Sequence, residues 1–262
     1  MSAGAWAGRS LGERRVTYDE RDAILYALAV GASAEHLDLV FEDHLRVLPT
    51  FGLTLAQWAP DALGSLGAFD TTTAVHGAQR LEVLRPLPRS GELRLVARVG
   101  AVWDKGAAAV FEVAVECDHF VATWSIFAPG CGGFGGERGS SGAPGDLAVH
   151  EELAVPTFPT QAATYRLLGD RHHMHIDPAA ARAAGQPRPF LHGLCTLGVI
   201  VLRVADHVGA HPADLGTLSG RFAAPVFPGE MLVARVDAGQ VTRFDASVGE
   251  RRVISNGQLS FS

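Results

Sequence analysis

The feature that most constrains the fold is an order of predicted elements that occurs twice. Thr17 to Gly31 has apolar residues at helical spacing, and alternating runs over 75–128 predict antiparallel strands, the first two joined by a turn at PLPRSG. A second apolar helix is predicted over 192–208, and strands follow it in 218–262. A helix followed by an antiparallel meander, twice, predicts an α+β protein made of two similar units. Residues 1–15 lack a periodic pattern and are expected to fray or form an extended arm.

A glycine-rich segment separates the two units. Residues 129–147, PGCGGFGGERGSSGAPGDL, have no apolar periodicity and are interpreted as a linker between an N-terminal half, 1–128, and a C-terminal half, 148–262. The segment contains a literal G-x-G-x-x-G at Gly130, Gly132 and Gly135. A dinucleotide site is rejected, because the motif needs a helix directly after it and ERGSSGAPGD does not predict one.

Composition narrows the class of protein. The 262 residues are 47% hydrophobic and carry a net charge of −6, which favours a folded core and disfavours nonspecific nucleic-acid binding. Three widely spaced cysteines indicate a reducing compartment. The sequence shows neither a signal peptide nor an unbroken apolar run of membrane-spanning length, and the final QLSFS is not a peroxisomal address. A cytoplasmic protein that does not associate with membranes is expected.

The densest chemistry lies in residues 165–196, YRLLGDRHHMHIDPAAARAAGQPRPFLHGLCT. Asp170 and His175 share one loop, so they can share a water molecule, deprotonate it and return a proton elsewhere if burial tunes their pKa values. Gly193 is predicted at the start of the apolar helix, where its free N–H can polarise a carbonyl. An acid–base pair with an oxyanion donor suits the addition of water next to a thioester-activated double bond.

Other interpretations of these residues compete with that chemistry. Asp170 and His175 can serve as a turn aspartate and a packed histidine, and Gly193 can simply allow close packing. A metal site has the right ligand types in His172, His173, His175 and His192, but the spacing fits no familiar zinc pattern, so no metal is predicted. Cys195 is better explained by helix packing than as a nucleophile.

The stretch GD-x-x-x-x-H-x-DP followed by P-x-LHGLCT resembles the hydratase 2 motif of the MaoC-like hot-dog family. RDAILYALAVGAS, LPTFG, VHGAQRLEVLRPLPRSG, DKG, GGFGG, RFAAPVFPG and VISNGQ extend the resemblance, in order, to the hydratase domain of the peroxisomal multifunctional enzyme of β-oxidation. The resemblance implies a double hot dog: two antiparallel sheets, each wrapped around a long helix, with the catalytic motif in the second half only. It also implies reversible hydration of trans-2-enoyl-CoA to (3R)-3-hydroxyacyl-CoA, with no cofactor beyond the CoA thioester substrate. The expected partner is a second copy of the chain, in a homodimer.

Site residues follow from the same resemblance. Asp170 and His175 match the catalytic pair, and Gly193 matches the backbone oxyanion donor. His76, Gly77, Lys105 and Phe222 match positions that contact the CoA thioester, and Arg171, His173 and Met174 of the motif are assigned to substrate binding with them. Lys105 is the one lysine among 22 basic residues, and the expected role is to bind a phosphate of CoA.

The motif departs from its family at two positions. Where the family usually has G-D-x-N-P-L-H, this chain has His172 in place of the asparagine that helps place the water and His173 in place of the proline. His172 still donates a hydrogen bond, so we include it among the catalytic residues, but its charge depends on pH. The departure keeps two alternatives open: a hydratase or dehydratase for a polyketide or steroid side-chain thioester, and a catalytically silent subunit that binds acyl-CoA.

Overall fold

The computed structural model describes residues 1–140, 147 and 150–262, and both halves follow one order: a strand, a helical region and four strands. The first half comprises β1 (Ser10–Tyr18), α1 (Glu20–Ala29), α2 (Leu37–Val40), α3 (Phe51–Ala56), α4 (Trp58–Ser65), β2 (Val75–Val83), β3 (Gly91–Asp104), β4 (Ala108–Glu116) and β5 (Phe120–Pro129). The second comprises β6 (Glu151–Pro156), α5 (Gln161–Tyr165), α6 (Pro178–Ala183), α7 (Gly193–Val208), β7 (Leu215–Phe222), β8 (Met231–Asp237), β9 (Thr242–Val248) and β10 (Arg251–Phe261). Short 3₁₀ turns cover Ala3–Trp6, Glu42–His44, Arg166–Leu168, His173–His175 and Pro212–Asp214.

The ten strands of the described residues form one antiparallel sheet in the order β1-β3-β4-β5-β2-β7-β10-β9-β8-β6. Counted outward from the β2–β7 junction, the two halves have the same order, so β2 corresponds to β7 and β5 to β10. Ala78 to Glu82 pair with Arg221 to Thr217 across that junction. The prediction of two similar α+β units is confirmed, and the two sheets are joined edge to edge into one.

Three expectations about strands were incomplete or wrong. The expected arm at the N-terminus is the edge strand β1, which pairs with β3; most of its side chains are exposed, so it carries no apolar alternation. The edge strand β6 was not predicted, for the same reason. The strands on either side of PLPRSG, β2 and β3, are not neighbours, because β2 crosses to pair with β5 and β7. The meander is therefore β3-β4-β5.

The predicted helix at 17–31 is α1, and it begins later than expected. Asp19 is its N-cap and forms a capping box with Asp22: each side chain accepts a hydrogen bond from the other residue's backbone N–H. These two reciprocal bonds satisfy N–H groups that would otherwise lack partners at the helix start. The local sequence thus sets where α1 begins.

The first half lacks the single long helix that the resemblance implies. In its place α3 and α4 meet at Gln57, which ends one helix and begins the other. Pro60 explains the break, since it has no N–H to donate to the carbonyl of Ala56 four residues earlier. The second half has the long helix, α7, which is buried along nearly its whole length and ends at Gly209 in the left-handed conformation.

The described part of the glycine-rich segment packs against the β3–β4 turn. Asp104 accepts hydrogen bonds from the backbone N–H groups of Gly106, Gly133 and Gly135 at 2.8–2.9 Å, and these donors lower its pKa to about 2. A Cβ on Gly132 would lie 2.2 Å from the Gly106 carbonyl oxygen, so only glycine fits there. Residues 141–146 and 148–149 of the proposed boundary lie outside the described residues, and the division into halves at 129–147 stays a prediction.

The core is continuous across the β2–β7 junction. One cluster of buried side chains includes Leu81 on β2 and Leu218 on β7, which pair in register, together with the buried face of α7. Within the described ranges, none of the helices combines the length and apolar character needed to cross a bilayer.

Candidate active site

The loop between α5 and α7 positions the histidine-rich motif. The 3₁₀ turn Arg166–Leu168 ends at Gly169, whose φ of 141° is strained for any residue with a Cβ. A second turn, His173–His175, follows, and the Asp177 carboxylate then accepts a hydrogen bond from Ala179 N–H to cap α6, which starts at Pro178. The two turns bring the side chains of Asp170 and His175 close together, with their ligand atoms within 4.8 Å of each other.

The Asp170 carboxylate is bound first by His172. Its Oδ1 lies 2.7 Å from His172 Nδ1 and accepts a second bond from the His172 backbone N–H at 3.2 Å. The carboxylate is mostly buried, with 14% of the side chain exposed, whereas His172 is 48% exposed. The imidazole of His172 also lies 3.9 Å from Asp61 on α4, so it bridges a carboxylate from each half.

His175 is buried, and its hydrogen bond defines its protonation. Nδ1 lies 2.9 Å from the Phe190 carbonyl oxygen, which can only accept, so Nδ1 carries the proton. In the neutral ring the lone pair is therefore on Nε2, where a base needs it. The edge of the Phe190 ring packs against the imidazole at 4.8 Å between centroids and helps to fix its plane.

His192 lies beneath this pair. Its ring stacks on His175 with 3.8 Å between centroids, and its Nε2 lies 3.2 Å from the backbone carbonyl oxygen of Asp170. The side chain is 2% exposed. The side-chain ligand atoms of Asp170, His175 and His192 all lie within 4.8 Å of one another, so the three side chains form one compact cluster.

Gly193, His76 and Phe222 come together at the start of α7. Gly193 is the first residue of the helix, as predicted, so its N–H has no acceptor within the helix. A Cβ at this position would lie 2.8 Å from the Phe222 ring, whose centroid is 4.7 Å from that of His76. Gly77 lies in a bulge of β2, between the register positions of His76 and Ala78. The free backbone N–H at the start of α7 therefore lies next to the aromatic rings of Phe222 and His76.

The comparisons with known proteins cover both halves. Residues 16–127 match the MFE-2 hydratase 2 N-terminal domain, and residues 142–258 match the MaoC like domain. Enoyl-CoA hydratase ChsH3 of Mycobacterium tuberculosis is 38% identical over 87% of this chain and 86% of its own length. The chain belongs to the MaoC-like hydratase 2 family.

Two further relatives support the fold and the family. The peroxisomal multifunctional enzyme type 2 of Mus musculus is 36% identical over 96% of this chain, which spans 37% of that longer protein. The crystal structure of a MaoC-like dehydratase from Phytophthora capsici superposes with a TM-score of 0.85 and 25% identity, covering 100% of this chain and 98% of the other. The double hot-dog fold that the sequence predicts is confirmed.

The electrostatics of this hydratase-family site favour an ionised Asp170, a charged His172, and neutral rings at His175 and His192. Burial alone would raise the pKa of Asp170, but the hydrogen bond from His172 and the imidazoles of His192 and His175 outweigh burial, and the net shift is downward. The same hydrogen bond raises the pKa of His172 to about 9. Burial lowers the pKa of His175, and it lowers that of His192 to about 3. At neutral pH, Asp170 and His172 form an ion pair.

The cluster of Asp170, His175 and His192 has metal-binding residue types, but its geometry is poor for a metal. The two imidazoles are stacked with 29° between their planes, whereas a bound metal lies in the plane of each ring that ligates it. The residues therefore fit proton transfer better than chelation.

The remaining predicted residues lie around or away from this cluster. Lys105 donates from its ammonium group to the Arg138 carbonyl, so the contact found for it is with the glycine-rich segment. Arg171 and His173 are exposed and Met174 is half-buried. Cys195 is fully buried with its thiol 3.7 Å from the Ala29 carbonyl oxygen, and burial raises its pKa, in agreement with a packing role. The roles in substrate binding stay predictions.

His192 was not among the predicted catalytic residues. The sequence placed it at the start of a helix, and its only predicted chemistry was the metal site that the spacing argues against. The available signal was its position: His192 is the N-cap of α7, yet the residue types that normally cap helices are Ser, Thr, Asp and Asn. The His192 side chain makes no capping hydrogen bond. Its Nε2 contacts the backbone carbonyl oxygen of Asp170 instead.

Proposed function

We propose that the protein catalyses the reversible hydration of trans-2-enoyl-CoA to (3R)-3-hydroxyacyl-CoA. The observation that carries the proposal is the cluster of Asp170 with His175 beside the free N–H of Gly193, in a chain whose relative ChsH3 is named an enoyl-CoA hydratase. No redox change occurs in this reaction, so proton transfer and polarisation of the thioester suffice. We therefore propose that neither a metal nor a redox cofactor takes part, and activity should survive dialysis against a chelator.

In the proposed mechanism, a water molecule binds between the Asp170 carboxylate and Nε2 of His175. The pair removes one proton as the water oxygen attacks C3 of the enoyl group, and a proton is returned to C2, so that H and OH are added across the double bond. The Gly193 N–H stabilises the negative charge that develops on the thioester oxygen, assisted by the positive end of α7. Reversal of the same steps dehydrates the 3-hydroxyacyl ester.

A cavity next to the catalytic loop supports a medium to long or bulky acyl group. Its volume is about 310 Å³, and it reaches from the first half to Gly169, one residue before Asp170. Its apolar lining comes from Val16, Tyr18, Phe51, Leu55, Trp58, Leu167 and Leu168. Since α3 and α4 replace a long helix here, the first half contributes space for the acyl chain rather than a second catalytic motif.

A panel of trans-2-enoyl-CoA esters of increasing chain length tests the function, with absorbance of the conjugated thioester as readout. We expect loss of absorbance with crotonyl-CoA and decenoyl-CoA, and a product of R configuration. Binding of both esters without hydration would favour the silent subunit, the alternative that His172 keeps open. Turnover restricted to polyketide or steroid side-chain thioesters would keep the enzyme class and change the substrate.

We also propose a homodimer in the cytoplasm. The three cysteines are all free thiols, which fits a reducing compartment. Val75 and Phe127 are exposed apolar neighbours across β2 and β5, and they offer a surface for self-association. Light scattering of the purified protein would show a single mass of about twice 27.6 kDa if the dimer forms.

A further inference from the structure

We propose that His192 is a positioning residue for the hydration reaction, holding the backbone of Asp170 through its Nε2–H and the ring of His175 through its face. The inference rests on the proposed function and adds a residue to it. Both contacts come from one rigid side chain at the start of α7, 3.2 Å from the Asp170 carbonyl oxygen and 3.8 Å from the His175 ring centroid.

The hydrogen bond defines the state of His192. Because the Asp170 carbonyl can only accept, Nε2 carries the proton, and in the neutral ring Nδ1 is left with a lone pair. Nδ1 is buried and has no hydrogen-bond partner among the described residues. A buried polar atom without a hydrogen-bond partner destabilises the folded protein. An apolar side chain would fill this position without that penalty, so the presence of an imidazole here points to a functional use.

The surroundings keep the imidazole neutral. The charged and titratable groups that face it are Asp170, His175 and His172, and Tyr165 packs on its ring at 4.8 Å between centroids. A neutral ring next to His175 has two consequences. It shields His175 from water, and it places no positive charge where His175 must accept a proton in the reaction.

The position of His192 links three parts of the mechanism. It immediately precedes Gly193, the proposed oxyanion donor, and its neighbour on the other face, Tyr165, is hydrogen-bonded at 3.1 Å to Thr54 in the first half. One side chain therefore sets the spacing between the carboxylate, the base and the helix start. A shift of about 1 Å in such a constellation can lower the rate by about 10².

Two substitutions separate the two contacts. His192→Phe keeps a ring to stack on His175 and removes the donor to Asp170. His192→Gln keeps a donor near the position of Nε2 and removes the ring. The matched controls are His211→Phe and His211→Gln, since His211 follows the opposite end of α7 and contacts Asp38 at 2.7 Å.

We expect His192→Phe to lower kcat by about tenfold to a hundredfold, leaving the acidic limb of the pH–rate profile in place, because the stack still shields His175. Its Tm should not fall, since the unpartnered Nδ1 is removed. His192→Gln should move the acidic limb to higher pH, because water reaching His175 raises a pKa that burial now lowers. The His211 variants should keep the wild-type kcat and pH profile.

Wild-type kcat and an unchanged pH profile in both His192 variants would overturn the inference. So would a loss of kcat that merely follows a loss of folded protein, measured by circular dichroism and Tm. Failure of the proposed function is distinct from either result, because the wild-type protein itself would then fail to hydrate every ester in the panel.

Discussion

At the scale of single residues, the electrostatics of the site depend on one aspartate, Asp170, which interacts with four histidines. Asp170 has His172 on its side chain and His192 on its backbone carbonyl, and the charge of Asp170 also acts on His175 and His76. Burial lowers the pKa of His76 to about 4, so it offers a neutral ring beside Phe222. Asp170 therefore is the common anion of the cluster.

The first prediction concerns the catalytic pair itself. Asp170→Asn and His175→Ala should each lower kcat by at least about 10², the usual scale for losing a positioned acid or base. Both variants should keep the far-ultraviolet circular dichroism of the wild type. Near-wild-type turnover in either variant would remove that residue from the mechanism.

The second prediction concerns His172, the departure from the family motif. Below a pKa of about 9 the imidazole is charged and holds the Asp170 carboxylate in an ion pair, which weakens Asp170 as a base. Wild-type kcat/KM should therefore rise as the pH rises through about 9. His172→Asn should abolish that step and raise hydration of straight-chain esters near neutrality. The acidic limb set by His175 should move to higher pH, because the charge of His172 lowers the pKa of His175.

Asp61 offers a control for this prediction. It lies 3.9 Å from His172, and Asp61→Asn removes the second carboxylate while keeping the bond to Asp170. The step near pH 9 should then move slightly downward and remain. Superimposable profiles for the wild type and His172→Asn would show that His172 does not titrate in the catalytic cycle.

The third prediction concerns Lys105. If the ammonium binds a CoA phosphate, Lys105→Ala should raise KM for CoA esters more than it lowers kcat, because a remote phosphate is bound equally in the ground and transition states. The effect should weaken as salt rises. Its present bond to the Arg138 carbonyl suggests that substrate would have to recruit it from the glycine-rich segment. If KM of the Lys105→Ala variant is unchanged at low salt, Lys105 does not bind CoA, and its role is the contact with the glycine-rich segment.

At the scale of elements, the proposed oxyanion donor is the N–H of Gly193 at the start of α7. Gly193→Ala should place a methyl group against the Phe222 ring and displace either the ring or the helix start. Overpacking of this kind costs about 1–3 kcal/mol, partly offset by about 1 kcal/mol of helix propensity. We expect kcat to fall by about tenfold or more, since Gly193 N–H would no longer meet the thioester oxygen.

Gly198→Ala is the matched control in the same helix. Its added Cβ would lie 2.7 Å from Val30 and 2.9 Å from the Tyr26 hydroxyl, a similar steric conflict away from the catalytic loop. Both variants should lose stability in thermal unfolding, but only the change at Gly193 should alter kcat of the remaining folded enzyme. Equal effects on kcat would mean that the helix as a whole, rather than its first N–H, governs activity.

At the scale of the whole molecule, both halves of the chain line the cavity that is proposed to hold the acyl group. The cavity extends from Gly169 in the second half to β1, α3 and α4 in the first, so under the proposed function both halves limit the length of the acyl chain. Leu55→Trp should fill much of this space. We expect it to lower kcat/KM for decenoyl-CoA by about tenfold or more and to leave crotonyl-CoA nearly unaffected.

If Leu55→Trp changed kcat/KM equally for decenoyl-CoA and crotonyl-CoA, the acyl chain would not occupy this cavity. The control is Leu66→Trp, since Leu66 follows the end of α4 and is 60% exposed. That substitution should change neither ester. Initial rates over a range of both ester concentrations give the kcat/KM values to compare.

The sequence by itself determined what depends on neighbours along the chain. Helical periodicity predicted α1 and α7, because helix hydrogen bonds join residues four apart. The start of α6 is likewise local, since Asp177 caps it and Pro178 is its first residue. The one-loop spacing of Asp170 and His175, the position of Gly193 at a helix start, and the resemblance to a hydratase motif were also local signals. These sufficed for the fold class and the reaction.

Only the tertiary structure decided what depends on residues distant in sequence. The edge strands β1 and β6 gain their hydrogen bonds from strands more than 70 residues away, and their exposed side chains carry no pattern to predict. The stacking of His192 on His175 and the bridge from His172 to Asp61 likewise join segments that the chain order keeps apart. Charge and proton affinity at Asp170 follow from those distances and from burial, which are properties of the folded chain.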